Sequence, residues 1–201
     1  MGDRAVETGE LGDAGGGEAA RAADRLAGGR PPASPHSLKH RLGRAVWGVV
    51  QASLFRLSPR PFFRWRVLLL RLFGARVSWR ARVYPGAKVW APWNLEMAEL
   101  ATIADGVDVY AVDRISLGVR AIVSQYSYLC GATHDFTDPK RPLVPMPIRL
   151  EDGVWIAADV FVGPGVTVGA GTVVGARSSV FKDLPAGQLC VGSPARAVRA
   201  I

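Results

Sequence analysis

The chain has 201 residues, 49% of them hydrophobic and 21% charged, which is ordinary for a soluble globular protein of one or two domains. Its net charge of +8 is uneven: residues 1–37 hold six acids and four bases, residues 38–82 eleven bases and no acid, and residues 83–201 eleven acids and ten bases, so the basic character belongs to one stretch and argues against a nucleic-acid partner. Cys130 and Cys190 make no disulfide framework, His36, His40 and His134 supply no zinc spacing, and neither a secretory signal nor an apolar run of about twenty residues is present, so we expect no metal and a cytoplasmic, reducing location.

Residues 1–36 are rich in Gly, Ala and Pro, lack aromatics and, after Met1, offer only Val6, Leu11 and Leu26 as sizeable apolar side chains, which predicts a disordered tail. Residues 37–74 read as a basic amphipathic helical segment. Leu38, Leu42, Val46, Val49 and Val50 recur at helical spacing with Trp47 beside them, while Lys39, Arg41 and Arg44 lie on other faces. Ser58-Pro59-Arg60-Pro61 stops the first helix, a second runs from about Phe62 to Phe73, and Gly74 stands where a C-terminal cap belongs. This pair is expected to cap one end of the main domain, and its interleaved Arg and aromatic residues also suit peripheral contact with an anionic membrane or a polyanionic glycan.

After Gly74 the helical period gives way to one of six. Leu150, Ile156, Val162, Val168, Val174 and Val180 are all large aliphatics; the residues that follow them are mostly small, and the fifth positions (Val154, Val160, Val166, Thr172, Ser178, Leu184) are small or medium. The same grammar recurs at Val77, Val83, Val89 and Leu95, at Ile103 and Val109, and at Leu117, Val123 and Leu129, with two-residue insertions between phases. A chain that turns a corner after each short strand has this period, and a helix or a hairpin meander does not. Residues 75–201 are therefore predicted to form a mainly β domain, a parallel β-helix of about five coils, with aliphatics stacked inside and ends that need caps. Periodicity leaves the hand open; the general crossover rule would make it right-handed.

With that grammar, the runs V-S-Q-Y-S-Y-L-C-G-A-T-H-D (123–135), V-W-I-A-A (154–158) and F-K-D-L-P…G-S-P-A-R (181–196) resemble the hexapeptide-repeat acyltransferases, and among them the colanic acid biosynthesis acetyltransferases. The resemblance begins at S-L-K-H-R-L-G-R-A-V-W and covers residues 37–201. It implies a left-handed β-helix, a homotrimer with active sites between subunits, and acetyl-CoA as donor to a sugar or lipid-linked glycan hydroxyl. A carbonic anhydrase branch shares the repeats but needs three metal-binding histidines that this chain does not readily provide.

Acetyl transfer from a thioester to a hydroxyl needs a base for a weakly acidic proton, and a neutral imidazole suits that near neutral pH. His134 is the one histidine of the repeat region and stands where the coils break into a projecting loop, 135–149, with four prolines. The resemblance assigns it as general base. Asp113, Asp135, Tyr126 and Trp155 are the candidates for acceptor contact: Asp135 as orienter of the imidazole or of the acceptor, Trp155 as a cleft wall, Tyr126 as a residue narrowing the pocket. By the same resemblance Ala158 and Ala176 leave backbone open to the pantetheine arm, and Lys182, Arg196 and Arg199 match residues that meet the phosphates of CoA. Cys130 reads as a corner or core residue, and the oxyanion donor as a backbone N–H. The alternatives are an acetyltransferase for a soluble sugar, an antibiotic or a nucleotide-sugar amine, and a catalytically silent β-helix scaffold.

Overall fold

The computed structural model describes residues 38–201, so the expected tail and His36 lie outside the described residues. Helix α1 (Leu38–Val50) runs into a single π turn (Gln51–Phe55), and α2 (Phe63–Leu72) follows the proline-rich break. At its end Ala75 N–H donates to Leu70 C=O and Gly74 N–H to Arg71 C=O, both at 3.0 Å, with Gly74 at φ +88°. That is a Schellman cap at the glycine the sequence offers for it. The stripe that makes α1 amphipathic is not the face that packs: Leu38, Leu42, Val46 and Val49 are exposed, whereas Trp47 is buried and Val50 partly so.

From Ala75 the chain coils, laying one short strand on each of three faces per coil. The first coil is β1 (Arg76–Val77), β2 (Arg82–Val83) and β3 (Lys88–Val89); the second β4 (Leu95–Met97), β5 (Thr102–Ile103) and β6 (Asp108–Tyr110); the third β7 (Ile115–Leu117), β8 (Ile122–Val123) and β9 (Tyr128–Cys130). An excursion, β10 (Ala132–His134) and β11 (Leu143–Pro145), leaves here as an antiparallel hairpin. The fourth coil is β12 (Ile148–Leu150), β13 (Trp155–Ile156) and β14 (Phe161–Val162), and the fifth β15 (Thr167–Val168), β16 (Val173–Val174) and β17 (Ser179–Val180). Within each face the strands of these coils pair in parallel: β1-β4-β7-β12-β15 on face one, β2-β5-β8-β13-β16 on face two, β3-β6-β9-β14-β17 on face three. The expected five coils are complete and a sixth begins, with Leu184 bridged to Val168 and β18 (Gln188–Gly192) paired to β16; β19 (Ala195–Ala200) then folds back antiparallel on β18.

Each residue of the hexad Leu150 to Val180 is buried, as are the fifth-position residues Val154 to Leu184, so every rung contributes two side chains to the interior. The insertions widen the ladder without breaking it. Met97, not Leu95, stands in register with Val77 and Leu117, while Leu95, Ile115 and Ile148 form a second inward stack two residues earlier. The corner glycines answer two different needs: Gly165 has φ +77°, whereas a Cβ on Gly169 would lie 2.5 Å from Ala186 N.

The first coil exposes three sheet edges, and the helices close all three with one side-chain donor each. Arg71 Nη1 donates to Val77 C=O at 2.7 Å, Arg66 Nε to Val83 C=O at 2.6 Å, and Trp47 Nε1 to Val89 C=O at 2.6 Å. Arg66 is fully buried, and its remaining donors reach Ser58 Oγ, Pro59 C=O and Arg60 C=O, so one guanidinium ties the interhelical turn to the solenoid.

Candidate active site

His134 ends β10 and is exposed on the hairpin. Its Nδ1 lies 2.7 Å from the carbonyl oxygen of Arg141. A carbonyl only accepts, so Nδ1 carries the proton and, in the neutral ring, Nε2 presents its lone pair outward. The orienting group is thus a backbone carbonyl from the far arm of the hairpin, where Arg141 stands at φ +45°. Asp135 does not take that role. Its Oδ1 accepts from the N–H and the Oγ1 of Thr137, at 2.8 and 2.6 Å, and these bonds hold its carboxyl below the usual range. The carboxylate shapes the hairpin tip.

Asp113 occupies the corner between β6 and β7, half-buried, with Oδ1 accepting from Arg114 N–H at 2.6 Å. The adjoining corner is fixed by Asn94, whose Nδ2 donates to Ala111 C=O and Val112 C=O, both at 2.9 Å. Gly131, at the root of the hairpin, packs against this turn: its N–H donates to Tyr110 C=O at 3.0 Å, and an added Cβ would meet that oxygen at 2.7 Å. Asp113 and His134 therefore share the edge between faces three and one, and Lys182, which follows β17, stands at the same edge two coils further on.

A second group lies along face two and its edge with face three. Trp155 opens β13, half-exposed, and its indole Nε1 donates to Ser124 Oγ at 3.0 Å one coil above. Tyr126 (φ +64°) and Asp159 (φ +58°) are successive left-handed corner residues, and Asp159 N–H donates to Gln125 C=O at 2.9 Å. Ala158 and Ala176 stack at this same corner, joined by Arg177 N–H to Ala158 C=O at 3.0 Å, with an Arg177–Asp159 ion pair at 3.4 Å beside them. Below, β19 sets Arg196 opposite Val191 and Arg199 opposite Leu189. Trp155, Ala158, Ala176 and Arg196 thus form a continuous strip descending toward the C-terminal end, while His134 belongs to another edge of the prism.

A groove of about 530 Å³ on face one, between Arg76, Ser116, Arg149 and Asp152, contains none of these residues. Cys190 is buried in β18, and burial pushes its thiol pKa up, away from nucleophilic use; Cys130 Sγ lies 3.2 Å from Ala132 C=O. Among the described residues no cluster of three or more His, Cys, Asp or Glu could hold a metal ion. Reading the sequence missed Arg141, because a backbone carbonyl leaves no side-chain signal, and Ser124, because the strand register sets Ile122 opposite Trp155.

A parallel solenoid of six-residue repeats, interrupted once by a histidine-bearing hairpin, defines a hexapeptide-repeat protein. No protein-family model matches the chain. It is 45% identical over 154 residues to an Escherichia coli K12 protein provisionally named colanic acid biosynthesis acetyltransferase, across 77% of this chain and 85% of that one. The fold matches a hexapeptide-repeat acetyltransferase of Vibrio cholerae complexed with acetyl coenzyme A, with TM-score 0.73 and 26% identity over 83% of this chain and 91% of that one. It also matches the fold of a maltose O-acetyltransferase from Clostridium difficile 630, with TM-score 0.75 and 23% identity over 83% and 90%. The chain belongs to the hexapeptide-repeat acetyltransferases.

Proposed function

We propose that the protein transfers acetyl from acetyl-CoA to a sugar hydroxyl of an exopolysaccharide or capsule precursor, the acceptor being a glycan carried on a lipid at the inner membrane face. The observation that carries the chemistry is the His134–Arg141 hydrogen bond, which leaves Nε2 as the basic atom. His134 Nε2 takes the hydroxyl proton as the sugar oxygen attacks the thioester carbonyl. The tetrahedral oxyanion collapses, the C–S bond breaks, and the proton passes from His134 to the departing thiolate, giving a sugar acetate and free CoA. A backbone N–H would meet the oxyanion.

The active unit in this reading is a homotrimer. The support is the separation within one protomer: the edge bearing His134, Asp113 and Lys182 differs from the strip of Trp155, Ala158, Ala176 and Arg196. Pairing one edge with a neighbour's strip assembles both halves. Asp113 and Tyr126 then contact the acceptor and Trp155 walls the cleft, the small Ala158 and Ala176 admit the pantetheine arm, and Lys182, Arg196 and Arg199 meet the phosphates of CoA. Among the described residues no helix is long and apolar enough to cross a membrane.

The test is calorimetric binding of CoA and acetyl-CoA to the wild type and to Lys182→Ala, followed by acceptor screening. Micromolar binding that weakens in the variant supports the reading; no binding by the folded protein would leave a scaffold.

A further inference from the structure

Helix α1 turns its apolar stripe outward. Leu38, Leu42, Val46 and Val49 are 81%, 68%, 48% and 70% exposed, and Leu57 beyond the π turn is 80% exposed. A helix serving only as a solenoid cap would bury these side chains and present polar ones to water. At 100° per residue, Arg41 borders the stripe on one side and Lys39 on the other. Neither forms an ion pair with a described residue.

Next to the stripe, on the Arg41 side, a groove of about 390 Å³ runs between the helix and the first coil. Its helical wall is Arg44, Gly48, Ala52 and Arg56, one residue per turn, with the small pair leaving room between the two arginines; Lys88 and Trp90 stand opposite. The Arg44 guanidinium lies 3.7 Å from the centre of the Trp90 ring, which holds it at the rim. No salt bridge engages Arg44, Arg56 or Lys88 among the described residues. The one acid in the lining, Asp108, sits beside Lys88, and burial raises its pKa.

An exposed hydrocarbon stripe beside a cationic groove matches a molecule with acyl chains and a phosphate head. We propose that α1 docks on an anionic phospholipid bilayer, its Leu and Val stripe at the acyl boundary and Arg44, Arg56 and Lys88 on lipid phosphate. Charge selects this occupant. Residues 38–82 contain eleven bases and no acid, so a second copy apposed through the same face would set these cations against one another, with Asp108 as the single acid of the groove lining. Docking of this kind deepens the lipid-linked reading of the acceptor, by holding the enzyme where such a glycan lies.

The experiment is vesicle flotation of the full chain at about 0.1 M salt, with phosphatidylcholine alone and with phosphatidylcholine containing phosphatidylglycerol. Leu42→Ser/Val49→Ser and Arg44→Gln/Arg56→Gln are run alongside, and CoA binding and solution mass are measured on every sample. The wild type is expected to bind the anionic vesicles at least about tenfold more tightly than the neutral ones, and each double variant to lose about tenfold or more, with about fivefold per cation. Absence of vesicle binding, or variants that bind as the wild type does, would overturn the docking surface. So would a Leu42→Ser/Val49→Ser variant whose only change is a smaller assembly, since a second copy then covers the stripe. CoA binding that persists while vesicle binding is absent removes the docking surface alone; loss of CoA binding with vesicle binding intact supports the surface and removes the transferase reading.

Discussion

The Nδ1–H of His134 donates to the carbonyl of Arg141 across seven residues of hairpin, at 2.7 Å. The bond fixes both the tautomer and the tilt of the ring, so the geometry of the proposed base depends on a backbone torsion. His134→Ala is expected to lower turnover by about 10²–10⁴-fold while CoA affinity and melting temperature stay unchanged; full activity in this variant would remove the mechanism.

Arg141 supports that torsion in a separable way. Its φ of +45° is open to glycine and closed to proline. Arg141→Gly should retain most activity, because the carbonyl stays in place. Arg141→Pro should lower kcat by about tenfold or more, since a hydrogen bond that fixes the ring of the proposed base is worth about 1–2 kcal/mol, with little change in the KM for acetyl-CoA. Equal kinetics in the two variants would show that the carbonyl does not position His134.

The residues stacked directly on Val168 are aliphatic and offer a charge no partner. Val168 is fully buried between Leu150 above and Leu184 below. Val168→Asp should cost several kcal/mol and leave no cooperative melt near the wild-type temperature, whereas Val168→Ile should fold. A soluble Asp variant with unchanged melting would contradict the register.

That register was legible because each coil repeats one steric demand: an aliphatic at Val162 or Val174 must fit the same narrow interior as its neighbour a coil away. His134 stood out as a candidate for the converse reason, its place where the repeat stops. Trp47, Arg66 and Arg71 gave no such signal. Their role is to reach carbonyls of Val89, Val83 and Val77, residues 42, 17 and 6 positions away. No local pattern encodes that, and for the same reason the outward face of α1 was not apparent. A stripe of Leu and Val reads the same whether it meets a core or a surface.

Arg66 offers a quantitative check on the cap. Its guanidinium serves four acceptors at the seam between the interhelical turn and β2, and burial pushes its pKa down while Asp105 and Tyr84 oppose the shift. Arg66→Met keeps the apolar stem but leaves three carbonyls without this donor, so a loss of about 3 kcal/mol is expected in denaturant unfolding. Arg66→Lys should fall short of rescue, because an ammonium cannot span Val83 and the 58–60 turn together. Full rescue by lysine would mean that charge, not the planar fork, holds the seam.

Asp108 gives the fold a pH dependence. It stands beside Lys88 in the β3–β6 register, and burial raises its pKa, with Lys88 drawing it the other way. The folded chain therefore holds this proton more tightly than the unfolded chain, whose aspartates titrate near 4. The favourable contribution is fully present below that unfolded value and is lost as pH rises through the higher folded one. Asp108→Asn keeps the shape without the charge, so it should melt above the wild type at pH 7, and the gap should narrow as pH falls toward 4 and close below it. A variant melting below the wild type at pH 7 would show instead that the attraction of Lys88 outweighs the desolvation of the carboxylate.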